Sequence, residues 1–342
     1  MKLRFAALLS ALCLAQTAAA NPVVIAHRGA SGYVVEHTAA AVALAHALGA
    51  DFIEQDVQLT KDSAPVIIHD TFIENISDIA AKFPGRAARD GHYYAADFTL
   101  AELRTLRLTE RGTAVPGQVS GGRFPHGQGR FTVQTLDEEI ELVQGLNQTR
   151  GLNTGIYVEI KSPARHRKRG LDPSAVVLQV LSKYGYDKPG APPCWLQCFD
   201  RDECKRLRNE LGWRGNLLLL LSPKKDKKTG AILQPADADL REIATYANGI
   251  GPSLSLLLAP NADGRLADTG LAARARKAGL IVHPSTVQRD RLPEGAASTD
   301  ALLGLLFNTA AVDGVFTDFP DLVAGWLRAR EKNRPANASQ TP

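Results

Sequence analysis

Short apolar runs alternate with longer stretches of helical periodicity through most of this chain, and that rhythm limits the possible folds more than any other feature. Eight segments have strand character: 23–26, 52–59, 156–160, 195–199, 217–221, 249–253, 280–283 and 314–317. Between them, apolar residues recur at helical spacing over 38–48, 136–146, 173–184, 202–211, 238–246, 270–278, 300–310 and 322–331. Parallel strands need crossovers of this length, so the alternation predicts an α/β protein, and eight units predict a closed (β/α)8 TIM barrel. Thr38 and Asp202 are expected helix caps, and Gly49, Gly185, Gly212 and Gly279 follow helices where a left-handed residue is usual.

The first twenty residues read as a secretory signal peptide. Lys2 and Arg4 supply the positive end, 5–14 an apolar stretch, and Ala18-Ala19-Ala20 a small-residue cleavage site before Asn21. That stretch is too short to span a bilayer, and Leu12 precedes Cys13 where a lipoprotein needs a small residue. No later uninterrupted apolar run reaches about 18 residues, so a soluble exported protein without stable membrane insertion is expected, periplasmic in a cell with two membranes. Cleavage leaves 342 − 20 = 322 residues. A barrel of this class takes about 250, so a single domain over 21–332 has roughly 70 residues to spare. The surplus lies between Asp70 and Gln134, an insertion over 71–133 after the second strand. It contains Phe83-Pro84-Gly85-Arg86 and a Gly/Pro-rich stretch at 116–129, with little periodicity apart from 99–106. It reads as poor in apolar clusters, hence as a lid or wall over one barrel end rather than a second domain. A polar tail at 333–342 is expected to fray.

Lys and Arg exceed Asp and Glu by 40 − 36 = 4, and loss of Lys2 and Arg4 leaves +2. That bias is too small to argue for nucleic acid or an anionic membrane surface, so a small-molecule partner is expected. The oligomeric state stays open, a dimer included. Cys194, Cys198 and Cys204 remain after cleavage, an odd number that leaves at least one unpaired within the chain. Cys194 and Cys198 would lie about 13 Å apart along a strand, too far to bridge, and three free thiols are favoured over a Cys198–Cys204 pair.

In such barrels catalytic groups project from the C-terminal ends of the strands, and polar residues recur at those ends here. The first run closes in His27-Arg28-Gly29, the second carries Glu54-Gln55-Asp56, an offshoot ends in His69-Asp70, and the third ends in Glu159-Ile160-Lys161. Residues two apart on a strand share a face, so Glu54 and Asp56 point the same way, and facing carboxylates call for a cation. Glu54, Asp56 and Glu159 are the expected metal ligands. Three oxygen ligands suit Ca²⁺ or Mg²⁺ better than zinc, and an exported protein meets calcium more readily, so Ca²⁺ is expected with Mg²⁺ as the alternative. His27 and His69 are the expected catalytic acid/base pair for a phosphodiester, His27 preferred as the base. Arg28 offers a planar fork and Lys161 a point charge for phosphate oxygens. His283 closes the seventh strand as a substrate contact, and Phe199, Trp326 and Tyr94 are available as an apolar wall. His37, His92, His126 and His166 fall in loop or insertion contexts with a structural or solvated default, and His46 is expected on a helix surface.

Through His27-Arg28-Gly29, Glu36-His37-Thr38, Glu54-x-Asp56, His69-Asp70 and Glu159-Ile160-Lys161 the chain resembles the glycerophosphodiester phosphodiesterase family, in particular its periplasmic bacterial branch. The resemblance continues through Gly91-His92-Tyr93-Tyr94, Leu196-Gln197-Cys198-Phe199-Asp200, Val282-His283-Pro284 and Phe316-Thr317-Asp318-Phe319-Pro320. It implies a barrel with an inserted segment and hydrolysis of deacylated phospholipids to sn-glycerol 3-phosphate and an alcohol. It also implies His27 and His69 as the acid/base pair, Glu54, Asp56 and Glu159 as metal ligands, and Arg28, Lys161 and Glu36 in the substrate site. Val35 stands where the family usually has Pro before this Glu, which implies a less rigid loop around Glu36. The competing readings are a secreted phospholipase D-like enzyme acting on intact or lyso lipids, and a non-catalytic glycerophosphodiester-binding protein.

Overall fold

A computed structural model describes residues 21–112 and 118–332; the expected signal peptide and the tail at 333–342 lie outside them. Eight parallel strands form the sheet: β1 Val23–Ala26, β2 Phe52–Leu59, β3 Gly155–Ile160, β4 Cys194–Cys198, β5 Asn216–Leu221, β6 Gly249–Pro252, β7 Ile281–Val282 and β8 Gly314–Thr317. They pair in the order β7-β6-β5-β4-β3-β2-β1-β8. The two ends meet through Asp313 N to Val282 O and Phe316 N to Pro284 O, each 3.0 Å, so the barrel is nearly closed. All eight expected strands are present within a few residues.

Eight helices pack outside: α1 Ala39–Ala47, α2 Leu136–Arg150, α3 Pro173–Lys183, α4 Arg201–Asn209, α5 Asp237–Ile243, α6 Leu271–Lys277, α7 Thr299–Gly304 and α8 Pro320–Lys332. Thr38 caps α1 by accepting from Ala41 N, and Gly49, Gly185, Gly212 and Gly279 all have positive φ as expected. The cap of α4 is Asp200, which accepts from the N–H groups of Asp202 and Glu203, and not Asp202. The connection from β4 is only two residues long, so Asp202 falls inside the first turn, where its charge faces the positive end of the helix dipole. His46 is also a correction. It is fully buried where α1 packs on α2, 3.0 Å from Asn147 Oδ1 and 2.7 Å from the Arg150 guanidinium.

Strand parity sorts the side chains. Val24 and Ala26, Ile53 and Val57, Ile156, Val158 and Ile160, and Leu217 and Leu219 belong to the large core beneath the helices. Ile25, Tyr157, Trp195, Leu218, Leu220 and Phe316 fill the barrel interior. Gly251 on β6 faces those leucines: a Cβ there would lie 2.6 Å from Leu218 Cδ2 and 2.7 Å from Leu220 Cδ2. Two residues farther along the same inward faces the side chains turn polar, at His27 after Ile25, Glu159 after Tyr157, Gln197 after Trp195 and Asp318 after Phe316. The interior is thus apolar below and chemical at the mouth.

The insertion does have an apolar core. Ile73, Ile76, Ile79, Tyr93, Phe98, Leu103, Leu106 and Leu108 are buried in one cluster that also takes in Val35, Val66, Ile68 and Val133. Its apolar residues are spread over short turns without regular spacing, and a periodicity search passes over such a cluster. A short strand, Pro65–Ile67, pairs antiparallel with the end of β2 and carries the chain into this unit. The three cysteines are buried and free, as favoured.

Candidate active site

His27 and His69 line one cavity of about 240 Å³ at the C-terminal mouth of the barrel, together with Arg28 and Glu36. Each histidine is held by a carboxylate: His27 Nδ1 lies 2.7 Å from Asp318 Oδ1, and His69 Nδ1 lies 2.7 Å from Asp70 Oδ1. Fixing Nδ1 leaves Nε2 as the group each ring presents for proton transfer. The two carboxylates are themselves held. Asp318 accepts from Arg123 and from Gln288 Nε2, and Asp70 accepts from Arg111. His27 and Arg123 pull Asp318 well below the carboxylate range in spite of its burial, and His69 and Arg111 do the same for Asp70, down to about 2.

Glu54 and Asp56 share the inward face of β2 and are fully buried, at 2% and 0% exposure. Asp56 joins the two sides of the site: its Oδ2 lies 2.7 Å from His37 Nε2 and 3.6 Å from Arg28 Nε, and its Oδ1 lies 3.4 Å from Lys161 Nζ. Glu54 accepts from Arg28 N at 2.8 Å and from Gln197 Nε2 at 3.2 Å. The register pairs Asp56 with Glu159 across β2 and β3, and Lys161 Nζ reaches Glu159 Oε1 at 2.8 Å. Burial and the charges of Asp56 and Glu159 push the Glu54 carboxyl well above its ordinary value. Glu159 rises to about 8 through burial, with Lys161 offsetting part of the penalty.

Three converging buried carboxylates against Lys161 and an Arg28 already shared with Glu36 leave excess negative charge, and Asp56 Oδ1 has no hydrogen-bond partner among the described residues. This donor set fits a hard divalent cation. The ligand atoms of His37, Glu54 and Asp56 all lie within 4.8 Å of one another, which makes these three a possible metal-binding group. Glu159 stands beside the group with its carboxylate turned to Lys161. His37, read as a loop residue with a structural or solvated default, is 2% exposed, and its Nε2 meets Asp56 on the inward face of β2. Its neighbour Glu36 and its place one residue before the α1 cap were the available signals.

Backbone geometry helps to place these groups. Arg28 and His37 have φ of 58° and 56°, left-handed values that non-glycine residues seldom adopt, and His37 N donates to Arg28 O at 3.1 Å. Gly29 follows with φ 80°, where a Cβ would lie 2.7 Å from the Ala41 carbonyl carbon of α1. The strained turn therefore needs glycine for close approach as well as conformation. Glu36 is clamped by Arg28 at 3.0 Å and by Arg111 at 2.7 Å. Val35 is buried in the insertion core, so packing and ion pairs tie down the loop around Glu36, which was expected to be less rigid.

Phe199 and Lys161 line a second opening of about 290 Å³ beside Glu159, and Phe199 is half exposed there. His283 lines neither opening. It sits in the interior layer, 3% exposed, with Nδ1 3.1 Å from the Tyr157 hydroxyl and its ring edge-on to Trp195. The sequence placed it at a strand end, but β7 is only two residues long and its inward position there falls at the level of the apolar layer. Trp326 stacks on Phe307 in the outer helices, and Tyr94 lies under Arg165, so neither walls the mouth. Among the residues that complete the cavity, Asp318, Glu110, Arg111 and Arg123 were not nominated for the site from sequence. Asp318 was visible as a polar residue on the inward parity of the eighth strand, whereas the other three come from the aperiodic insertion.

A model of the glycerophosphoryl diester phosphodiesterase family matches residues 27–322. The chain belongs to this family. It is 38% identical over 329 residues to the glycerophosphodiester phosphodiesterase of Haemophilus influenzae, covering 90% of each chain. It is 35% identical over 336 residues to that of Treponema pallidum, covering 90% of this chain and 92% of the relative. Among solved structures, a phosphodiesterase from Oleispira antarctica in complex with the product sn-glycerol-3-phosphate superposes with TM-score 0.62 at 21% identity, covering 90% of this chain and 97% of that one. The glycerophosphodiester phosphodiesterase of Thermotoga maritima superposes at 0.53 and 17% identity, covering 89% and 97%. As a family member the chain is a phosphoric diester hydrolase, and its TIM barrel is the fold of these neighbours.

Proposed function

We propose that this protein hydrolyses glycerophosphodiesters to sn-glycerol 3-phosphate and an alcohol, with His27 and His69 as the acid/base pair and a divalent cation at Glu54, Asp56 and the neighbouring His37 or Glu159. The observation that carries the reading is a single cavity lined by two imidazoles, each oriented by its own carboxylate, beside a buried carboxylate cluster. Phosphodiester cleavage needs one group to take a proton from the attacking hydroxyl and another to protonate the departing alkoxide. The product named for the Oleispira structure and the names of the curated relatives support the substrate class.

Burial outweighs the pull of Asp56, and with Arg28 it holds His69 down to about 4, so its Nε2 carries a lone pair at neutral pH. His69 is accordingly the base. His27 is the proton donor to the leaving alcohol, the reverse of the preference drawn from sequence, and Asp318 balances the charge on its ring while it holds the proton. The neighbouring hydroxyl of the glycerol is the attacking group: its proton goes to His69, the ester bond to the alcohol breaks, and water then opens the cyclic phosphate. Arg28 and Lys161 stabilise the charge that develops on the phosphoryl oxygens. A bound cation, Ca²⁺ by its hard oxygen donors, would withdraw charge from those same oxygens.

A periplasmic location belongs to the same proposal, supported by the leader-like first twenty residues. Among the described residues no helix is long and apolar enough to cross a membrane. Among the described residues the exposed large apolar side chains, Leu152, Phe199, Leu233 and Ile281, are scattered through the sequence, and of these four Phe199 alone lies at the mouth, which supports a small diester over intact lipid. A coupled glycerol 3-phosphate assay on glycerophosphocholine, run after chelation and after return of Ca²⁺ or Mg²⁺, tests the reading. Release of product that requires His69 and a cation is expected. Turnover indifferent to chelation removes the metal, and equal background rates in the parent and His69→Ala remove the enzyme.

A further inference from the structure

Glu110 is the one acidic side chain on the cavity wall that the site described above leaves without work. It is 4% exposed, lines the same cavity as His27 and His69, and its Oε2 has no hydrogen-bond partner among the described residues. The other carboxylates there are engaged: Glu36 by Arg28 and Arg111, Asp318 by His27 and Arg123. A buried unpaired carboxylate oxygen in a folded protein costs enough that a partner is expected. Its backbone is firmly set, since Glu110 O accepts from His126 Nδ1 at 2.9 Å and Thr109 N donates to Ile76 O in the insertion core.

The surroundings decide what that partner is. Four arginines line the cavity, Arg28, Arg111, Arg123 and Arg291, and among the described residues no Phe, Tyr or Trp does. A cationic headgroup would meet repulsion and lack the aromatic faces that bind quaternary ammonium. An uncharged hydroxyl meets neither obstacle and donates to a carboxylate oxygen. On the substrate reading above, on which this inference rests, the glycerol end carries such hydroxyls in every substrate, whatever its alcohol. The hydroxyl beside the ester is occupied in the chemistry, which leaves the terminal one.

We infer that Glu110, supplied by the insertion, binds the terminal hydroxyl of the substrate's glycerol and thereby selects glycerol diesters over other phosphodiesters. Burial, together with the charge of Glu36, pushes its carboxyl up to about 7, so near neutrality it can accept from or donate to that hydroxyl.

The test compares glycerophosphocholine with the phosphocholine diester of propane-1,2-diol, which keeps the hydroxyl beside the ester and lacks the terminal one. The parent is expected to prefer glycerophosphocholine by about 10- to 100-fold in kcat/KM, the range of a hydrogen bond to a charged group. In Glu110→Gln and Glu110→Ala that preference should collapse to about threefold or less, and the loss should be the same for glycerophosphoethanolamine. Because the readout is a ratio of two substrates on one enzyme preparation, a variant that folds poorly does not disturb it. A preference that survives the substitutions overturns the assignment, as does an equal fall on both diesters, which marks a structural role. Losses confined to diesters with a cationic alcohol overturn it in favour of the headgroup. A parent that releases no glycerol 3-phosphate overturns the substrate reading itself, a result separable from the others.

Discussion

At the scale of single residues, the site is built from pairs in which a carboxylate fixes an imidazole. Removing Asp318 should therefore disable His27 without removing it. Asp318→Asn is expected to lower kcat by about 10²-fold or more while KM changes little, measured with glycerophosphocholine and compared with His27→Ala. An unchanged kcat would show that the ring needs no orienting partner. The neutrality of His69 has a consequence in pH. A base works only when deprotonated, so activity is present above its pKa and lost as pH falls through it, and with His69 held at about 4 the acid limb of kcat/KM should lie near pH 4 to 5. A limb near 6.5 would assign the limiting base to an unshifted imidazole. Residue types in order were enough to nominate His27, Arg28, Glu54, Asp56, His69, Glu159 and Lys161. They were not enough to show that Asp318 partners His27, because those two lie 291 positions apart and meet only where β8 closes on β1.

At the scale of elements, the turn from β1 to α1 and the cap of α4 make separable claims. Gly29 combines a positive φ with backbone contact to α1, so Gly29→Ala is expected to destabilise the fold by about 2 kcal/mol or more in urea unfolding, and to reduce activity through the adjacent Arg28. Asp200→Ala should cost about 1 kcal/mol by freeing two N–H groups of α4, whereas Asp202→Ala should cost little. If Asp202→Ala were the more damaging, the cap would be misassigned. Helical and strand periods located these elements because each buries one face along its length. Periodicity could not locate the insertion's core, whose members sit on short turns, nor the burial of His46, which follows from how α1 lies on α2.

At the scale of the whole molecule, the carboxylate cluster and the insertion bind the fold to the function. Stripping divalent cations should lower both activity and the thermal midpoint, since a ion that binds only the folded state stabilises it, and Ca²⁺ should restore both. Activity and midpoint that ignore chelation would leave the cluster without a cation. The insertion reaches the cavity through Glu110, Arg111 and Arg123, so loosening its core should be felt as weaker substrate binding. Phe98→Ala, deep in that cluster, is expected to cost about 3 kcal/mol or more locally and to raise KM more than it lowers kcat.

What the amino-acid order determined by itself was the barrel and which polar residues stand at its mouth. Strand and helix periods are local properties of the chain, and barrel geometry sends the inward residue at each strand end to one mouth. What only the tertiary structure decided was how those residues are partnered. The carboxylate behind each histidine, the buried place of His37 against Asp56, the removal of His283 to the apolar interior and the wall contributed by the insertion all depend on contacts between distant segments. Such contacts have no period, and packing alone sets them.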